Sequence, residues 1–200
     1  MAILDFPNVS PDSGATFNLI SNSTEFPSDL NNATQTGKFL GDQWSAVLPF
    51  TNREKLQGRT MKAFLTRLGG MAGRFRMTPP DLDQLGTMGG SGIIAGAGQT
   101  GTTITTSGWS INQSSLFKEG DYIQFNGELK TIVLPAASDA AGLATLEIAP
   151  PLRKATNDLD AIETTNPQTI FMLTNDNQAS WDIQSNYVFG ATINCIEDVT

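Results

Sequence analysis

Glu128 and Glu147 fall in neighbouring predicted strands. Two carboxylates facing each other across a gap are the arrangement that protonates a glycosidic oxygen on one side and attacks or activates water on the other. Acids on strand faces ordinarily meet water, and that is the expectation for this pair. Asp81 and Asp83, and Asp158 and Asp160, are each two residues apart on loop-like segments. Oxygen-rich loops can hold Ca²⁺, but neither pair has the further acids and central glycine of an EF-hand loop, so solvated turns are expected. Gly96-Ala-Gly98-Gln-Thr-Gly101 spells the dinucleotide fingerprint. That motif works only between a strand and a helix, where pyrophosphate meets the helix N-terminus. Here Thr102-Thr-Ile-Thr-Thr106 follows, a β sequence, so the glycines read as a turn into a β domain. Cys195 sits in an apolar, alternating run and is expected to be a buried, inert thiol.

The composition narrows the chemistry further. The 200 residues contain no histidine and one cysteine. A Ser-His-Asp or Cys-His nucleophile, a histidine-based zinc site, an internal disulfide and a cysteine cluster are therefore all excluded. The expectation is a chain that is not an enzyme, with no catalytic residue, no cofactor and no metal. Charged residues are 16% of the chain, below the ~25% of typical domains. The surface is then rich in amides and hydroxyls, as suits either a protein packed against neighbours or a plain soluble β domain. The N-terminus shows no secretory signal, and no apolar run approaches the ~18 residues of a membrane span, so no membrane anchor is expected. Four Asn-x-Ser/Thr sequons, at Asn8, Asn22, Asn32 and Asn112, are read as chance in an Asn- and Thr-rich chain.

Charge is unevenly distributed. Residues 53–76 hold Arg53, Lys55, Arg59, Lys62, Arg67, Arg74 and Arg76 against Glu54 alone, a local charge of +6, so the remainder must carry −14 to give the total of −8. An acidic chain does not hold nucleic acid non-specifically. The basic stretch is also the clearest helix, 52–68. Thr51-Asn-Arg-Glu54 fits a capping box, and Gly69-Gly70 a stop. Leu56, Met61, Phe64, Leu65 and Leu68 share one half of the helical wheel, with Lys55, Arg59 and Lys62 on the other. That face reads either as a solvated helix face or as a candidate subunit interface formed by those three cations. In an assembly of identical chains, a basic face on one copy docks against the acidic remainder of the next, and such head-to-tail pairing closes into a ring when the rotation allows.

These residues must be positioned by a mainly β (α+β) fold. Strands are expected at 15–20, 43–49 and 73–77, the last stopped by Pro79-Pro80. Residues 21–37 read as a loop or a long hairpin arm. Residues 81–101, with seven glycines, read as a linker. Beyond it come short strands at 102–106, 122–125, 129–134 and 144–148, with the hairpin signal Asn126-Gly127 and a turn at 138–142. Strands at 169–173, 181–185 and 187–196 follow. The expected organisation is a split β-barrel with one amphipathic helix, formed by 1–85 and 166–200, and a small β-barrel or sandwich inserted as 86–165.

The order of these pieces resembles a known group. Trp44-Ser-Ala-Val-Leu-Pro49 precedes a helix with Ala63-Phe-Leu-Thr-Arg-Leu-Gly69, then Gly73-Arg-Phe-Arg-Met77. Next come Gly96-Ala-Gly-Gln-Thr-Gly101, Gly120-Asp-Tyr-Ile-Gln124, Leu129-Lys-Thr-Ile-Val133, Pro150-Pro-Leu-Arg153 and Asn166-Pro-Gln-Thr-Ile-Phe-Met-Leu173. Over most of 40–200 this resembles minor tail proteins of long-tailed bacteriophages, similar to distal tail proteins. The resemblance implies a structural virion protein assembled in the host cytoplasm. Its split β-barrel would form a homo-hexameric ring at the distal end of the tail tube. The implied partners are further copies of itself, the tail tube protein and the tail hub or baseplate proteins, with DNA only as passing cargo. The second β domain, appended in that group, is here expected as an insertion.

Rival readings keep their own residues. Another tail subunit or a head–tail connector would share the same composition. A carbohydrate-binding β module would use Trp109, Tyr122 and Trp181 to stack on sugars. A hydrolase would use Glu128 and Glu147.

Overall fold

The structure, a computed structural model, describes residues 2–12, 14–28, 31, 33–179 and 189–199. In chain order its elements are β1 (Ile3–Asp5), β2 (Thr16–Ile20), β3 (Ser23–Pro27), β4 (Thr34–Lys38), β5 (Gln43–Arg53), α1 (Lys55–Leu68), β6 (Arg74–Met77), β7 (Gly90–Ile94), β8 (Thr103–Trp109), β9 (Tyr122–Phe125), β10 (Glu128–Ile132), β11 (Ala144–Ala149), β12 (Thr169–Leu173) and β13 (Phe189–Glu197). The fold is mainly β with one helix, as the sequence implies.

Six strands form a curled half-barrel sheet in the order β1-β6-β12-β13-β5-β2, with β1 parallel to β6 and the other pairs antiparallel. β5 shows why this sheet has an inside. Trp44, Ala46, Leu48 and Phe50 are buried, while Gln43, Ser45, Val47 and Pro49 alternate with them on the half-buried outer face. Pro49, opposite Thr192 of β13, is tolerated in mid-strand because its carbonyl edge faces the other way, past the end of β2 at Thr16, where no strand residue asks for an N–H. The Pro49 carbonyl accepts from the Asp12 amide at 2.8 Å. The inner face gathers Phe50, Phe75 and Phe171, all fully buried, and α1 covers it with Met61, Phe64, Leu65 and Leu68. Burying each such phenylalanine contributes roughly 2–3 kcal/mol.

The helix departs from its sequence signal at the start. β5 continues through Thr51 to Arg53, and α1 begins at Lys55 with Glu54 at its N-cap and no side-chain cap. Thr51 does not cap because its hydroxyl and amide both donate to the Asp12 carboxylate, which also pairs with Arg53. A tertiary contact thus takes the capping hydroxyl and extends the strand. Leu56, expected on the buried face, is 77% exposed, and Gly58 is the buried residue nearest that end. The stop is as expected: Gly69 caps the helix in the left-handed region at φ 71°.

The chain leaves this sheet after Met77 and re-enters it at Thr169, whose register partner is Met77. The intervening residues build a five-stranded sheet in the order β7-β8-β11-β10-β9. Its two edges are stitched together by one segment, Ala161 bridging to Ile93 of β7 and Glu163 to Gln124 of β9. Asn126 and Gly127, at φ 52° and 77°, make the two-residue turn between β9 and β10 with Phe125 opposite Glu128. The glycine-rich stretch 81–101 is not a plain linker, because it contains β7. Gly86, Gly89, Gly90 and Gly92 serve close packing: a Cβ on Gly92 would lie 2.0 Å from the Trp109 ring. Most of the barrel's apolar residues form their own core, but Tyr122 and Leu129 belong to the core of the six-stranded sheet.

β3 and β4 pair only with each other and prolong the β2–β5 hairpin as a two-stranded arm.

Candidate functional site

The sites suggested by residue type alone come apart in the structure. Glu128 lies opposite Phe125 and is buried, whereas Glu147 lies in β11 opposite Thr103 and is exposed. The two carboxylates are not a facing pair. Glu128 instead holds Lys130 at 2.6 Å and accepts from the amides of Arg153 and Lys154. Burial lowers the pKa of Lys130, against the pull of Glu128. Asp158 accepts from the Gly96 amide, Asp160 from Asn157, and Asp81 from the Tyr122 hydroxyl. No cluster of three metal-ligating side chains occurs among the described residues. Gly96–Gly101 forms the turn between β7 and β8, closed on itself by Gln99, whose amide bonds Ala95, Gly96 and Thr105.

The aromatic candidates are interior. Trp109 is 4% exposed, donates to the Thr106 hydroxyl at 2.8 Å and meets Phe117 edge-on at 5.1 Å. Tyr122 packs against Trp44 and Phe17. Trp181 lies outside the described residues. Cys195 is buried as expected, and burial pushes its thiol up to about 12. Among the described residues no helix is long and apolar enough to cross a membrane.

What remains accessible is the outer face of α1. Lys55, Arg59 and Lys62 are all exposed, on the side opposite Met61, Phe64, Leu65 and Leu68. Not all of the +6 segment is available. Arg53 is engaged by Asp12, and Arg74 by Asp198. No ion pair engages Lys55 or Arg59 among the described residues, and the exposed Leu56 lies one turn before Arg59. An apolar side chain in a cationic field is suited to a protein surface that supplies both a carboxylate and an apolar contact.

A second feature, not foreseen from the sequence, ties the barrel to the six-stranded sheet. The Trp44 indole donates to the Leu129 carbonyl at 3.1 Å and stacks on Phe17 at 4.9 Å. Glu197, fully buried at the end of β13, accepts from both terminal nitrogens of Arg153, from the Trp44 amide and from the Thr169 hydroxyl. Arg153 also donates to the Asp42 carbonyl at 2.7 Å. The only sequence signal for this knot is an arginine placed just after Pro150-Pro151.

Compared with known proteins, the chain matches no family model. No curated protein matches it either.

Proposed function

We propose that this chain is a structural subunit of a tailed-phage virion, forming a ring at the distal end of the tail tube where tube joins baseplate or tail tip. The observation that carries the reading is the exposed basic face of α1, with Lys55 and Arg59 unpaired within the described chain and the balancing negative charge spread over the rest of the molecule. Identical copies so charged attract head to tail, the relation that generates rings. The ordered resemblance of residues 40–200 to distal tail proteins supplies the setting. A half-barrel with one helix, interrupted by a small barrel, suits the two-part plan of that group.

Electron microscopy of the purified chain at high concentration tests this, with six-fold rings or tail-like stacks expected. A chain that stays monomeric and binds neither tail-tube nor hub protein would overturn it. Labelled antibody on intact particles is expected at the tail tip. Label at the neck would reassign the chain to a head–tail connector.

A further inference from the structure

The arm of β3 and β4 is exposed along its length. Every described residue from Ser21 to Pro27 and from Ala33 to Leu40 is exposed, apart from a half-buried Gly37. A two-stranded ribbon is at best marginally stable in water, so the posture of this one is set at its base. There the Phe39 amide donates to the Asn22 carbonyl at 2.8 Å, and the Asn22 side chain donates to the Leu40 carbonyl at 3.3 Å. Gly41 turns the chain at φ 128°, where a Cβ would lie 3.1 Å from the Asn22 side-chain nitrogen.

Asp42 comes next, is buried, and faces two ways. Its carboxylate holds the arm, accepting from the Asn22 amide at 2.9 Å and lying 3.1 Å from the Lys38 ammonium. Its main-chain carbonyl holds the barrel, accepting from Arg153 at 2.7 Å. Arg153 is committed on its other side. The same nitrogen, Nη2, that reaches the Asp42 carbonyl also reaches Glu197, and Nη1 gives Glu197 a second bond. Glu197 in turn accepts from the Trp44 amide and the Thr169 hydroxyl of the six-stranded sheet. The Arg153 amide donates to Glu128, which pairs with Lys130 inside the barrel. One arginine ties together the barrel, the sheet and the residue that grips the arm.

We infer that arm and barrel are coupled through Arg153 and Asp42, so that the base of the arm is closed only as firmly as Arg153 holds the Asp42 carbonyl, and a load that moves the arm is felt where the barrel is seated. Arg153 is a positioning residue and acts on the arm through Asp42. Carbonyl and carboxylate belong to one buried residue, so a shift of the first carries the second off the Asn22 amide. A marginal ribbon opens locally at small cost, and the loss of one anchoring contact changes its open fraction measurably. The coupling runs in both directions by linkage. It requires no second chain and stands or falls independently of the proposed ring.

The test is native-state hydrogen exchange of full-length chains at neutral pH. It is read at the Phe39 amide, which donates to Asn22 and not to Asp42. Removing the arginine as Arg153→Met together with Glu197→Gln strands no charge in the interior. This pair is expected to lower Phe39 protection about tenfold or more. The control is Leu146→Ala, which opens a cavity in the barrel core and keeps Arg153. Its Phe39 protection is expected to stay within about twofold of the parent chain. Asp42→Ala keeps the main-chain carbonyl but releases the arm, and is expected to lower protection as far as removing the arginine does. All three substitutions together should do little more than either set alone, because both break one run of contacts. Phe39 protection unchanged on removing the arginine would overturn the inference. An equal loss in Leu146→Ala would overturn it too, since the effect would then be global stability. Strictly additive losses would make arm and barrel independent and would also overturn it.

Discussion

Arg153 and Glu197 pair through two hydrogen bonds, of 3.0 and 2.5 Å, across the boundary between the small barrel and the six-stranded sheet. Glu197 is fully buried, so removing its cation strands a charge in the interior. Arg153→Met is expected to cost about 3–5 kcal/mol in urea unfolding. Adding Glu197→Gln should recover much of the loss. If the single variant loses less than about 1 kcal/mol, the pair does not fix the two parts together.

Lys130 and Glu128 form a second buried pair, at 2.6 Å. Lys130→Met alone leaves Glu128 without its cation and is expected to lose about 3 kcal/mol or more. The double variant with Glu128→Gln should be more stable than that single one. A double-mutant cycle from denaturant curves checks the coupling, and strictly additive effects would contradict it.

Asp42 anchors the base of the arm. Its Oδ1 accepts from the Asn22 amide at 2.9 Å, and its Oδ2 lies 3.1 Å from the Lys38 ammonium. Burial raises its pKa, but the Asn22 amide, Lys38 and the field of Arg153 outweigh burial and hold the carboxyl below its ordinary 3.8. A carboxylate that titrates lower folded than unfolded contributes stability in full above the unfolded value and loses it as pH falls through the folded one. Protection of the Asn22 and Phe39 amides, taken relative to intrinsic exchange at each pH, should therefore fall once pH drops below about 4. Asp42→Asn should show faster exchange already at neutral pH.

Lys55→Glu, Arg59→Glu and Lys62→Glu together reverse the exposed face of α1. Thermal unfolding of a single chain should hardly move, since none of the three is buried. Ring formation should vanish. Rings seen by electron microscopy of this triple variant would show that the basic face is not the subunit interface.

Cys195 offers a probe that needs no substitution. With its thiol pushed up to about 12 and fully buried, it should resist alkylation in the folded chain across neutral pH. Labelling in denaturant should follow the global unfolding curve. Rapid labelling without denaturant would mean that β13 opens locally.

Local chemistry was legible in the sequence, and long-range chemistry was not. Tyr122–Phe125 and Thr169–Leu173 form strands where alternation and flanking turns place them, and Asn126-Gly127 makes its turn because its backbone needs positive φ. The helix start misled because Asp12, nearly forty residues away, takes the Thr51 hydroxyl. The glycines of 81–101 suggested slack, since nothing local shows that Trp109 lies over Gly92. The exposed cations of α1 were readable from the helical wheel. Arg153, Glu197 and Asp42 were not, because their meaning exists only once two sheets share a boundary.

Met77 and Thr169 sit opposite each other in adjacent strands, so both tethers of the barrel leave the sheet about 5 Å apart. A pair of ends that close can be spanned by a short turn or by a module of any length, which makes this position a natural graft point in evolution. The present occupant is nevertheless not freely exchangeable. A replacement would have to bring its own ring for Trp44, its own carbonyl for the indole and its own cation for Glu197. Descent by swapping barrels at this site should therefore leave those three contacts behind as its signature.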